Sequence, residues 1–372
     1  MKSLTSFLPA VMLSIGILVC FSTAASAEGD AAVPETSRFG ALLTLSGKFA
    51  SAGEDCRRGI EAGLTAARAR HRLHAVYADS RNDPTAAISE FRKLIEADKV
   101  LAVYTHRSSM GMTLNPVSFK AGVPLLGAVG NRDFAGGNPY AVQVWPKSDD
   151  EGHFLAAKLI EKGLKRAALV YTEDEWTTPV AAAFREKFLQ LGGTLVFDQA
   201  ALPSETDFRT QLLQIKSKSP DAFYANMLLP QLAPIVKQAR EVALHAAIFS
   251  NFYIAKQEIV DALGHTALAG ISYIELDTEL PALKAHLGEN EAFSPPGLTV
   301  ASYVATLLLA QAASDKKPLH TPADLQAELL QQHEVRTPDY VYPIENRCVK
   351  FPLVLKVIRS HTRGLESSPP RH

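Results

Sequence analysis

Serines, glycines and aromatic residues that follow short apolar runs are where this chain could do chemistry. Ser108-Ser109 stands just after the run Leu101–Tyr104, where a helix is about to begin. Hydroxyls and first-turn N–H groups at such a place can donate to a ligand carboxylate or another acceptor, and the same serines would equally serve as a plain N-cap. Val129-Gly130-Asn131 follows Val123–Ala128. Glycine lets a backbone come close to a ligand and asparagine both donates and accepts, although the pair also suits an ordinary turn. Met227-Leu228 and Asn251-Phe252-Tyr253 occupy equivalent places after later apolar runs. Glu173-Asp174-Glu175 could meet a cation on a ligand, or could simply favour a helix N-terminus.

Catalytic and metal chemistry is poorly supported. His71-x-x-His74 has helical spacing for a metal, but falls at a helix-to-strand junction with no third ligand nearby. His106 and Ser108 could form a base and a nucleophile, yet no Gly-x-Ser-x-Gly elbow accompanies them. A Gly-rich phosphate loop and a His-Glu-x-x-His segment are absent from the sequence, so no cofactor and no metal is expected. Of the three cysteines, Cys20 lies in the leader, and Cys56 and Cys348 could pair or stay buried as thiols.

The elements that must position these residues alternate. Strands are expected at Phe39–Leu45, Leu73–Ala78, Leu101–Tyr104 and Val123–Ala128, with helices at Gly53–Arg70, from Pro84 and from about Ser108. After Tyr140–Trp145 a second series follows. Its helices are His153–Lys162, Pro179–Leu191, one capped by Asp207 with Phe208, Leu212 and Ile215 on its apolar face, and Pro234–Leu244. Its strands are Arg166–Tyr171, Thr194–Phe197, Asp221–Ala225 and Ala246–Ser250. Strands alternating with helices imply an α/β fold of doubly wound parallel sheets. A composition break at Pro146-Lys147-Ser148 favours two lobes over a single eight-fold barrel. The last third departs from the rhythm: a turn at Ser294-Pro295-Pro296-Gly297, helices at Thr299–Ala313 and Pro322–Gln332, a strand at Phe351–Ile358 and a polar tail.

Of the 372 residues, 47% are hydrophobic and 21% charged, the balance of a globular chain. Lys+Arg number 38 against 39 Asp+Glu, which leaves no basic field for a phosphate backbone, so no nucleic acid partner is expected. Lys2, the apolar run Leu8–Phe21 and Ala25-Ser26-Ala27 have the layout of a secretory signal peptide cleaved near Ala27. The run is too short to span a bilayer, so no stable membrane insertion is expected.

Taken in order, these segments resemble the type I periplasmic binding proteins of the leucine/isoleucine/valine class, the substrate-binding subunits of ABC importers. The resemblance rests on Leu45-Ser46-Gly47 through Gly53, Tyr77-Ala78-Asp79 with Asp83-Pro84, Leu94–Val100, Thr206-Asp207-Phe208, Lys218–Ala222 and Tyr303-Val304-Ala305, and spans about residues 38–358. It implies two lobes joined by a hinge of three crossover strands: 38–147 with about 276–345, and 148–275 with about 346–363, leaving a disordered tail at 364–372. It also implies a periplasmic monomer, not an enzyme, that closes on a small molecule and docks on an inner-membrane ABC permease. A ligand sensor signalling to a partner is the alternative, and a hydrolase a more distant one. Residue by residue, it points to Ser108, Ser109, Val129, Gly130, Asn131, Trp176, Leu228, Phe252 and Tyr253 as ligand-binding, with Trp176 where members often place an aromatic cover. The chain also departs from the pattern. Phe252 stands where amino-acid-binding members usually carry an acidic residue, Leu228 where an aromatic hydroxyl is common, and Ala52 where another aromatic is common. An ammonium buried without a counter-charge is costly. The expected ligand is therefore an organic or aromatic acid, or an amide, with no free α-amine.

Overall fold

The structure, a computed structural model, describes residues 37–67, 73–277, 279–288, 296–313 and 319–360. Residues 1–27, expected to be a signal peptide, the segment 28–36, His71, Ser294-Pro295 and the tail 361–372 lie outside the described residues. In chain order the first elements are β1 (Ser37–Leu43), α1 (Ala50–Ala67), β2 (Leu73–Asp79), α2 (Pro84–Glu96), β3 (Val103–His106), α3 (Ser108–Ala121), β4 (Leu125–Ala128) and β5 (Ala141–Gln143). The second series is α4 (Ser148–Glu161), β6 (Arg166–Thr172), α5 (Thr177–Gln190), β7 (Thr194–Ala201), α6 (Arg209–Ser217), β8 (Ala222–Asn226), α7 (Leu229–Glu241), β9 (Ala247–Ser250), α8 (Gln257–Leu268) and β10 (Ser272–Leu276). The closing set is α9 (Pro281–Leu287), α10 (Gly297–Ala312), α11 (Pro322–Leu330), β11 (Glu334–Arg336), β12 (Val341–Glu345), β13 (Cys348–Val349) and β14 (Leu353–Val357).

Each series builds one sheet, and both sheets use the same winding. The first runs β11-β12-β13-β5-β4-β3-β1-β2 and the second β14-β10-β9-β8-β6-β7. Within each, the strands of the alternating series pair in parallel. Central strands β3, β4 and β8 are buried along their whole length, as strands covered on both faces must be. Phe91 and Leu94 of α2 with Met110 and Leu114 of α3 pack on one face of the first sheet. Leu155 and Leu159 of α4 with Phe184 and Phe188 of α5 do the same on the second. The other face of the first sheet carries α1 and α10. Gly59 and Gly63 let these two helices touch: a Cβ at Gly59 would lie 2.1 Å from the Thr299 carbonyl oxygen, and one at Gly63 2.6 Å from Thr306 Cβ. The chain passes between the sheets three times, after β5, after β10 and after β13.

Several local expectations shift. The helix expected from Pro234 begins at Leu229, with Pro230 in its first turn and Pro234 inside it. Asp207 does not cap α6. Phe208 holds the N-cap position, and Asp207 instead accepts a hydrogen bond from the Arg209 N–H at 3.2 Å. The helix expected from His153 starts at Ser148, directly on the composition break, which brings Glu151 into its first turn. Cys56 and Cys348 are free, buried thiols, and burial pushes them up to about 12 and about 11.

Candidate functional site

In a parallel sheet, strand carboxyl ends gather loops and helix N-termini at one edge. Here those edges of both sheets border one cleft of about 350 Å³ counted out to its mouth. Arg107 and Ser108 come after β3, Ala128 and Gly130 close β4, and Trp145 follows β5. Asp174 and Trp176 follow β6, Leu228 follows β8, Phe252 and Tyr253 follow β9, and Leu298 belongs to α10. Of the residues singled out from the sequence, Ser108, Gly130, Trp176, Leu228, Phe252 and Tyr253 thus meet at the cleft.

Ser109, Val129 and Asn131 stand next to it without lining it. The Ser109 hydroxyl is buried without a partner, one residue into α3. The Val129 side chain turns away toward Gly111 and Gly127. Asn131 Nδ2 donates to the Glu175 backbone oxygen at 2.9 Å and to its carboxylate at 3.0 Å, so it ties the β4 loop to the loop that carries Trp176. His106 and Ser108 do not form a base–nucleophile pair. Ser108 Oγ accepts the Gly130 N–H at 3.0 Å, while both His106 ring nitrogens are buried without partners. Burial, helped by the Arg107 charge, pushes His106 down to about 3, so its imidazole is neutral.

The walls are aromatic. Trp145 and Trp176 both flank Phe252, at ring-centroid separations of 5.1 and 5.4 Å, and Tyr253 meets Trp176 edge-on at 5.7 Å. Asn251 sets this group in place. Its Oδ1 accepts the Tyr253 N–H at 3.1 Å, while its Nδ2 donates to Asn226 Oδ1 and to the Met227 carbonyl. Gly130 makes room for Trp176: a Cβ there would lie 2.4 Å from Trp176 Cδ1. Behind the wall, Glu151 accepts from both indoles, from Trp145 Nε1 at 2.8 Å and Trp176 Nε1 at 3.1 Å. Burial pushes its carboxyl up to about 8 against the pull of those two donors.

Arg107 supplies the charge. The residue is 9% exposed, and its Nε and Nη1 have no hydrogen-bond partner. Its guanidinium carbon sits 3.4 Å from the centre of the Phe49 ring, and among the described residues no ion pair to it is found. A buried guanidinium with empty donors at a cleft is arranged to receive an anion, and its planar fork suits a carboxylate. Arg107 is itself the N-cap of α3, whose first-turn N–H groups and dipole favour negative charge. Asp174 is the one acidic lining residue, and its Oδ1 already accepts the Trp176 N–H at 2.9 Å.

A profile of periplasmic binding proteins matches residues 36–343. The chain belongs to the periplasmic binding protein family. Its place is with the type I members of the leucine/isoleucine/valine class, which are binding proteins and not enzymes. Among curated relatives, an amino acid binding protein of Pseudomonas aeruginosa is 27% identical over 281 residues, covering 72% of this chain and 73% of that one. A Leu/Ile/Val-binding protein homolog of Brucella abortus is 23% identical over 343 residues, covering 83% and 85%. The fold matches that of a leucine binding protein from Thermotoga maritima at a TM-score of 0.78 and 20% identity, over 87% of this chain and 96% of that one. It also matches an R. palustris ABC-transporter solute binding protein in complex with 4-hydroxybenzoate at 0.76 and 20% identity, over 87% and 93%.

Arg107, Trp145, Ala128, Leu298 and Glu151 complete the site without having been marked by the sequence. Arg107 lies between His106 and Ser108, and nothing in the sequence sets it apart from a solvated charge. Trp145 reads as a strand end, and Glu151 as one acid among three on a helix.

Proposed function

We propose that the protein captures a small aromatic or other organic acid in the periplasm, after loss of residues 1–27, and delivers it as a monomer to an ABC permease of the inner membrane. The carrying observation is Arg107, a buried cation whose Nε and Nη1 have no hydrogen-bond partner, at an aromatic slot. The acid is favoured over the amide because only an anion neutralises that charge. The free N–H groups of the first turn of α3, which opens at Ser108, would hold the same carboxylate, while Trp145, Trp176 and Phe252 would cover the ring. Gly130 and Asn131 keep the lobe edges in register, and closure would proceed by hinge motion at the three passages between sheets. Benzoate-type ligands in structurally similar binding proteins support this choice.

An α-amino acid is the second candidate cargo, on the strength of Asp174. Its position at the lining gives an ammonium one possible counter-charge. A thermal-shift screen of the purified protein separates the two, because a ligand that binds only the native state raises Tm, by about 2.7 kcal/mol of stability at a hundredfold excess over Kd. Benzoate and 4-hydroxybenzoate are expected to raise Tm, and leucine to leave it unchanged. A shift with leucine that is lost in Asp174→Asn, with no shift from the acids, would replace the first proposal by the second.

A further inference from the structure

Glu151 has no role in the proposal above, yet it is buried directly behind the slot. It lies in the first turn of α4, 3% exposed, and its hydrogen-bond partners are the two indole N–H groups. Those partners come from different parts of the chain: Trp145 from the passage after β5, Trp176 from the start of α5. One oxygen, Oε1, accepts both, at 2.8 and 3.1 Å, and Oε2 lies 3.2 Å from Trp176 Nε1. A Cβ at Gly130 would also meet Oε1, at 3.4 Å, so carboxyl, indole and glycine backbone fit against one another.

We propose that Glu151 is the positioning residue of the cleft: its carboxyl group, through the shared Oε1, fixes both tryptophans and so sets the width and direction of the slot that a planar ligand enters. This rests on the cleft being the ligand site, but the contact itself can be tested without ligand. Buried indole N–H groups need an acceptor. Without one, each ring either leaves its donor unsatisfied or turns toward water, and the slot changes shape in both cases. Glutamine keeps an acceptor oxygen at the same place, whereas leucine keeps only the volume. The neutral acid also fulfils the role, because a carbonyl Oε1 can accept twice. The groups facing Glu151 are Asp150 on its own helix, Glu275 of β10 and the phenol of Tyr224 of β8. The two acids make ionisation harder.

The protein has two tryptophans in all, and they are these two, so its tryptophan emission reports this contact alone. Emission and acrylamide quenching are measured for wild type, Glu151→Gln and Glu151→Leu without ligand, with circular dichroism to confirm folding. Glu151→Leu is expected to shift emission to the red and raise quenching, and Glu151→Gln to match wild type at pH 6. Benzoate affinity is then expected to fall about tenfold in Glu151→Leu and to stay near wild type in Glu151→Gln, two lost hydrogen bonds being worth about that much. If Glu151→Leu does not fold, pH decides: an emission change centred near pH 8 should be present in wild type and Glu275→Gln and gone in Glu151→Gln. The proposal is overturned if folded Glu151→Leu keeps wild-type emission and quenching, or if the change near pH 8 survives in Glu151→Gln. Failure of benzoate to bind wild type would count against the proposed cargo only, since the ligand-free emission still decides the role of Glu151.

Discussion

Replacing Arg107 by methionine separates what the protein gains from this side chain from what a ligand gains. In the free protein, the guanidinium is buried with two nitrogens unpartnered, and its one visible compensation is the Phe49 ring at 3.4 Å. Such a contact contributes about 0.5–2 kcal/mol, while burying an unpaired ion costs several kcal/mol. Methionine keeps an apolar stem against Phe49 and removes the charge. Tm without ligand is therefore expected to hold or rise. With a carboxylate bound, the sign reverses. Removing one member of a buried, hydrogen-bonded charge pair costs about 2–5 kcal/mol, or about 30-fold to about 4000-fold in Kd. The assay is a thermal-shift series with benzoate and 4-hydroxybenzoate on both proteins, followed by isothermal titration. An Arg107→Met variant that is less stable without ligand, yet binds the acids as tightly as wild type, would refute the reasoning, because Arg107 would then be structural.

Other perturbations test neighbouring parts. Gly130→Ala puts a Cβ 2.4 Å from Trp176 Cδ1, and is expected to displace that ring, cost about 1–3 kcal/mol by overpacking and weaken acid binding, seen as a lower Tm and a higher Kd. Lys256, which follows β9, donates to the Ser51 carbonyl at 3.0 Å and to the Asp55 carboxylate on α1, and so clasps the second sheet's loops to the first. Lys256→Met alone is expected to cost about 3–5 kcal/mol, since it strands a buried carboxylate, while Lys256→Met with Asp55→Asn should recover most of it in a double-mutant cycle of denaturation energies. Burial raises Glu151 to about 8 and Glu275 to about 7 from an ordinary value of 4.5, so the fold favours their protonated forms. Their contribution to stability is full below the unfolded-state value and is lost as pH rises through 7 to 8. Tm should therefore fall between pH 6 and pH 9, and less steeply in Glu275→Gln.

The parts of this fold that were legible in the sequence are those where one short-range rule suffices. Short apolar runs and helical spacing place the strands and helices through β9, because a buried strand is apolar throughout and a helix buries one face of its own. Pro234 misleads because a proline inside a helix looks the same as one that opens it, and the real start at Leu229 carries its own proline in the first turn. The strands β11 and β13 have three and two residues, too few to show a period, and β12 is partly exposed with a proline inside it. At the site, Ser108, Gly130, Leu228, Phe252 and Tyr253 could be named because each follows a strand, and Trp176 because the family resemblance points to an aromatic cover there. Arg107 could not, since an arginine in sequence looks like any solvated charge. What distinguishes it is burial without a counter-ion, which only the assembled sheet edges create. Glu151 is hidden for the same reason: two tryptophans far apart in the chain converge on it in space.

Isothermal titration of the wild-type protein with matched acid and amide pairs, benzoate against benzamide first, bears most directly on the role given to Arg107. The two ligands share a ring and a shape and differ in charge, so the comparison isolates the guanidinium. The acid should bind about 30-fold or more tightly than the amide, the lower end of what a buried charge pair is worth. Equal affinity for acid and amide, or tight binding of leucine with both aromatic ligands inert, would contradict it.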